Sequence, residues 1–112
     1  MPVQIRWMVL ALLILGIAPA ISAEPEYVIR IKNRQFIPAE LRIPAGEKVQ
    51  IAVDNQDDTP EEFESFSLNR EKHIPPKSRI TLFIGPLTPG RYVYQGEDRT
   101  DGVMALGVIE AR

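Results

Sequence analysis

Five carboxylates, Asp57, Asp58, Glu61, Glu62 and Glu64, fall within eight residues beside Pro60 in the stretch Asp57-Asp58-Thr59-Pro60-Glu61-Glu62-Phe63-Glu64-Ser65. Carboxylate oxygens are hard donors, so the chemistry open to them is capture of a cation. In an extended segment, Glu62 and Glu64 stand two residues apart and share one face. Like charges that close repel, and either a bound cation or plain solvation must relieve the repulsion. Glu97, Asp98 and Asp101 form a second acidic group, with the thioether of Met104 just beyond. His73, between Lys72 and Ile74-Pro75-Pro76, is the single histidine. A lone imidazole is either a ligand or an exposed or satisfied residue, and Met104 is either a soft ligand or core filler. A metal centre drawn from Glu62, Glu64, Glu97, Asp98, Asp101, His73 and Met104 is therefore weighed against a solvated acidic rim.

Other chemistries find no residues. A nucleophilic triad needs a histidine beside a serine or cysteine, and no glycine-rich phosphate loop is present. With no cysteine in the chain, no thiolate exists for a blue-copper site, which needs one Cys and two His. Ferroxidase-like activity at carboxylates is the one catalytic reading left. Tyr92 and Tyr94 alternate toward one face as core residues, and Arg70-Glu71-Lys72 reads as a solvated turn.

The elements that must hold these residues follow from alternation. Tyr27–Lys32 places Tyr27, Ile29 and Ile31 on one face and Arg30 and Lys32 on the other, a half-buried strand. Phe36–Pro44 carries two prolines and reads as an edge segment. Val49–Val53 and Arg79–Ile84 are further strands, with Ile80, Leu82 and Ile84 inward. Residues 54–60 and 85–90 carry turn chemistry. Phe66 and Leu68, two apart, are expected to face a core together. Arg91–Gln95 is a strand, residues 96–102 a polar loop, and Val103–Glu110 the last strand, where Gly107 marks a bulge or a close backbone approach. Six or seven short strands with regular turns predict an all-β, Greek-key β-sandwich.

The first residues are expected to be a signal segment. Arg6 is a short positive region, Trp7–Ile17 is uncharged and apolar, and Ala18-Pro19-Ala20 and Ile21-Ser22-Ala23 offer small-residue cleavage sites. The apolar run falls short of the about 20 residues of a transmembrane helix, which makes an uncleaved anchor the second choice. Residues 1–23 are thus assigned to the signal and 24–112 to one domain, placed in the periplasm. Without Arg6 the remaining chain holds 12 basic against 15 acidic residues, a balance unsuited to nucleic acid and suited to a cation.

The order of motifs resembles the cupredoxins: Phe36-Ile-Pro-Ala-Glu-Leu-Arg-Ile-Pro-Ala-Gly-Glu-Lys-Val, a strand ending Asp54-Asn55, then Leu87-Thr-Pro-Gly-Arg-Tyr and a final strand ending Val108-Ile-Glu. Within that superfamily, Glu62-Phe63-Glu64-Ser65 followed by Leu68-x-Arg70-Glu71-Lys72 is similar to the EfeO-type proteins that accompany bacterial ferrous-iron permeases. The resemblance implies a periplasmic protein that binds Fe²⁺ or a copper ion and serves an inner-membrane iron permease or a periplasmic iron-binding protein. It also implies that the end loops of the sandwich bring Glu62, Glu64 and Glu97 together. Where the relatives read Gly-Glu-Phe-His, this chain has Gly96-Glu97-Asp98-Arg99, so a fixed cation replaces an imidazole. The alternative is a metal-free interaction module that has lost its ligands.

Overall fold

The computed structural model describes residues 3, 4, 16, 27–98, 102 and 104–112. The expectations for the signal segment, Asp101 and Arg99 concern residues outside this set, Val3, Gln4 and Gly16 apart. Nine strands are formed: β1 (Tyr27–Lys32), β2 (Gln35–Ile37), β3 (Glu40–Ile43), β4 (Val49–Asn55), β5 (Glu61–Ser65), β6 (Arg70–Ile74), β7 (Arg79–Ile84), β8 (Gly90–Asp98) and β9 (Met104–Ala111). They make a four-stranded sheet ordered β2-β1-β4-β7 and a five-stranded sheet ordered β3-β9-β8-β5-β6. The connections β2–β3, β3–β4, β4–β5, β6–β7 and β7–β8 each pass from one sheet to the other, the crossing connectivity of a Greek-key sandwich.

Both prolines of the 36–44 segment do what they predict. Pro38 and Pro44 flank β3, and β2 and β3 are edge strands, one in each sheet. The inner faces meet in a core of Ile29, Ile31, Ile51, Val53, Phe63, Ile74, Leu82, Ile84, Tyr94 and Ile109, all essentially buried. Tyr94 anchors it, stacked on Phe63 and edge-on to Phe36, each at a centroid distance of 4.8 Å. Gly107 pairs with Tyr94 across β8–β9, and a Cβ there would lie inside the tyrosine ring's contact distance. The expected close approach is thus made by a side chain.

Several expectations are corrected. Arg70-Glu71-Lys72 is strand β6, because an edge strand with one free flank shows few apolar residues; only Ile74 in it is buried. Phe66 does not face the core with Leu68: the chain turns between β5 and β6, which breaks the two-residue period, and Phe66 is left 91% exposed. Residues 96–98 belong to β8, whose last turn inward is taken by Asp98. Met104 is no core filler; β9 turns it outward, 52% exposed, in phase with Leu106.

Candidate functional site

Strand β5 sits between β6 and β8 in the five-stranded sheet. Its buried Glu61, Phe63 and Ser65 point into the sandwich, so Glu62 and Glu64 point out. Register then fixes their neighbours. Glu62 pairs with His73 on β6 and with Glu97 on β8, and Glu97 pairs in turn with Met104 on β9. His73, Glu62, Glu97 and Met104 therefore form one row across four strands on the outer face. A second row runs Glu71, Glu64, Gln95 and Leu106, and the Gln95 amide donates to the Glu64 carboxylate at 3.4 Å. Directly opposite side chains have Cβ atoms about 5 Å apart, so neighbours in a row can share one ion after rotamer changes, whereas His73 and Met104, three strand spacings or about 14 Å apart, cannot. In the arrangement seen, no group of three or more His, Asp or Glu side chains among the described residues is set to hold a metal ion.

Asp98 does not join that face. One residue on from Glu97, it is turned inward and fully buried. The Thr59 hydroxyl donates to its Oδ2 at 2.6 Å, and the Arg34 guanidinium stands 3.5 Å from the same oxygen. Glu61, its partner across β5–β8, is likewise fully buried, and together with Phe36 it occupies the space that a side chain at Gly96 would need. The sequence carries a signal for the burial of Glu61: it is in phase with apolar Phe63, not with Glu62 and Glu64.

The loop above this end is pinned by two side chains. The Asp57 carboxylate accepts the backbone N–H groups of Asn33 and Arg34, each at 2.8 Å. Those two residues form the β1–β2 turn with φ of 51° and 62°, a conformation that suits asparagine and strains arginine. Buried Asn55 donates from Nδ2 to the carbonyls of Thr59, Ile74 and Pro75 at 2.9, 3.3 and 3.2 Å, and its Oδ1 accepts the Asp57 N–H at 3.1 Å. It ties the acidic loop to the end of β6 next to His73. At the opposite end of the sheet, Arg91 bonds Glu40 at 2.7 Å and approaches Glu110 at 3.6 Å, with Arg42 3.8 Å away. The hydrogen bond from Arg112 holds the Glu110 carboxyl below its ordinary value, aided by Glu40 and the neighbouring guanidinium groups.

This two-sheet order bears on family. Residues 5–106 match the sequence description of the cupredoxin-like domain. The chain belongs to that family. Among curated proteins, this cupredoxin-like domain is similar to an uncharacterised protein of Rickettsia prowazekii (strain Madrid E), 40% identical over 84 residues that cover 75% of this chain and 67% of the other. Among solved structures it is similar to a reduced Cu(I) form of an amicyanin variant, at TM-score 0.60 and 13% identity over 80% of this chain and 85% of amicyanin. It is also similar to a purple cupredoxin from Nitrosopumilus maritimus, at TM-score 0.55 and 16% identity over 78% of this chain and all of the other. At such identities the structural likenesses speak for the fold alone.

Proposed function

We propose that this cupredoxin-like domain carries a divalent or cuprous metal ion outside the cytoplasm, on the row His73, Glu62, Glu97 and Met104. The observation that supports it is the register, which aligns an imidazole, two carboxylates and a thioether across four adjacent strands. Carboxylate and imidazole donors suit Fe²⁺, and the thioether end of the row suits Cu(I). Glu64, one row below, is the reserve oxygen ligand.

The same geometry sets the strength of binding. His73, Glu97 and Met104 are exposed, so each must be ordered when the ion arrives, at about 0.5–1.5 kcal/mol per side chain. The ion is accordingly exchangeable cargo, held for transfer. That is the behaviour required of a protein that delivers iron to a permease, the role that the EfeO-type resemblance suggests. No intense thiolate-to-copper absorption arises with Cu(II), since the chain supplies no thiolate.

Anaerobic calorimetric titration of the full chain with Fe²⁺, and separately with Cu(I), tests the proposal. Glu62→Gln, Glu97→Gln and His73→Ala should each weaken binding about tenfold or more, which is about 1.4 kcal/mol. Glu110→Gln, at the far end of the sheet, should leave it unchanged. Absence of binding by the parent, or equal affinity in all four variants, would leave the metal-free interaction module in its place. The lack of a ready-made three-ligand group among the described residues is the observation that favours that second reading.

A further inference from the structure

Among the described residues, the upper half of β9 is paired on one side only. Every residue of β9 pairs with β8, from Met104 opposite Glu97 to Ala111 opposite Gly90. On its other side β3 reaches only from Val108 to Ala111. The Val108 N–H donates to the Ala39 carbonyl and the Arg112 N–H to the Ile43 carbonyl, so the even-numbered residues turn their backbone groups toward the lane of β3. By alternation Met104 and Leu106 turn theirs into the same lane, where no strand pairs with them among the described residues. Across the gap lies β2, the edge of the other sheet. A two-residue turn makes Lys32 and Gln35 a bonded pair, so Phe36, one step on, faces its backbone away from β1. Between the two edges is a groove of about 600 Å³, lined by Arg34, Gln35, Phe36, Ala39, Ala105 and Leu106 among others.

Sheet edges are ordinarily blocked by charge, proline or a covering group. Here β3 has Glu40 and Arg42 with Pro38 and Pro44 flanking it, and β6 has Arg70, Glu71 and Lys72. On β7, Arg70 covers the Phe83 carbonyl with a hydrogen bond of 3.1 Å. Among the described residues the stretch Met104-Ala105-Leu106-Gly107 has no such block, and Leu106 is 67% exposed. Backbone groups and apolar side chains left open together call for an occupant that supplies both, which is another strand. The outer face beside the lane adds charge: Glu97, Glu62, Glu64 and Glu71 lie on it with His73 as the one basic side chain in those two rows.

We propose that this lane receives an extended segment of a partner polypeptide, added to the five-stranded sheet as a strand above β3. Its inward residues are apolar and fill the groove over Phe36 and Ala39. Its outward residues are Lys or Arg, which reach past Met104 to Glu97. Main-chain bonds to Leu106 and Met104 supply affinity, and alternation supplies specificity. This inference does not rest on the metal proposal, and because Glu97 belongs to both sites it is tested on metal-free protein.

The probe is a capped Val-Lys-Val-Lys-Val-Lys-Val peptide, added to the ¹⁵N-labelled full chain while hydrogen exchange is followed by NMR. With peptide at about ten times its Kd, exchange at the Leu106 amide should slow about tenfold. The same peptide methylated at its backbone nitrogens should not bind, and a Val-Glu analogue should bind at least about tenfold more weakly, about 1.4 kcal/mol. Glu97→Lys should reverse the Lys-over-Glu preference while Leu106 protection persists at saturation. Equal protection by the methylated peptide would refute strand addition. Protection without peptide that grows with protein concentration would assign the lane to a second copy, and protection without peptide at every concentration would assign it to the chain's own residues. Either result overturns the partner assignment.

Discussion

Replacing Gly107 by alanine should destabilise the protein by about 3 kcal/mol, reversing the usual sign of that exchange in a strand. Alanine in place of an interior strand glycine ordinarily gains roughly 0.5–1 kcal/mol through lost chain entropy. Here the added Cβ would stand 2.5 Å from Cε2 of Tyr94 and closer still to Cζ and the hydroxyl. Non-bonded carbons settle at about 3.5–4.0 Å, so the ring would have to retreat by about 1 Å. It cannot do so cheaply, because Phe63 is stacked on it and Phe36 abuts it, both at 4.8 Å. Overpacking a well-filled core costs typically 1–3 kcal/mol, and a clash with a fixed ring belongs at the upper end. Urea unfolding followed by circular dichroism would read the loss as a midpoint shift of about 2 M at a slope near 1.5 kcal/mol/M. Tyr94→Leu removes the clashing atoms, so in that background Gly107→Ala should cost less than about 1 kcal/mol, a coupling of at least about 2 kcal/mol. An unchanged or raised midpoint in the parent, or the same loss in both backgrounds, would refute the assignment of Gly107 to Tyr94.

Three further outcomes follow from single side chains. Asp57→Ala should lower stability by about 2 kcal/mol, since two backbone donors of a left-handed turn lose their acceptor; the check is a urea midpoint, and a loss below about 0.5 kcal/mol would contradict it. Tyr94→Phe should be neutral or stabilising by about 1 kcal/mol, because the buried hydroxyl has no hydrogen-bond partner among the described residues. Burial also raises the Tyr94 pKa, so the parent, stable below the ordinary value of 10.0, should lose stability above it while the Phe variant loses less. Glu110 has a lowered pKa in the folded state, so its contribution is present above the ordinary value of 4.5 and fades as pH falls below it. Thermal melts of Glu110→Gln should therefore differ from the parent at neutral pH and converge with it in acid.

Much of the fold was legible because β1, β4 and β7 alternate apolar and polar residues over a half-buried sheet. The acidic face was legible for the same reason: Glu62 and Glu64 are two apart, and β5 is extended. What stayed hidden was the set of neighbours, which depends on register. β6 is an edge strand whose exposed charges mimic a turn, so His73 gave no sign that it would lie opposite Glu62. Gly96, Glu97 and Asp98 look like loop chemistry, yet Gly96 is the strand residue that leaves room for Glu61 and Phe36. Asp98 looked like Glu97's fellow ligand, and pleating sends the two to opposite faces. Phe66 was misplaced because a two-residue period has meaning only while the chain stays extended.

The metal row is tested most directly by Mn²⁺, which stands in for Fe²⁺ as an oxygen- and imidazole-seeking ion and broadens the NMR signals of nuclei near it. Substoichiometric Mn²⁺ should broaden the amides of Glu62, Glu97 and His73 first and together, and His73→Ala should weaken that effect while the amides of Glu110 and Arg91 stay sharp throughout. Broadening centred on Asp57 and Asp58, or spread evenly over all surface carboxylates, would contradict the row as the binding site.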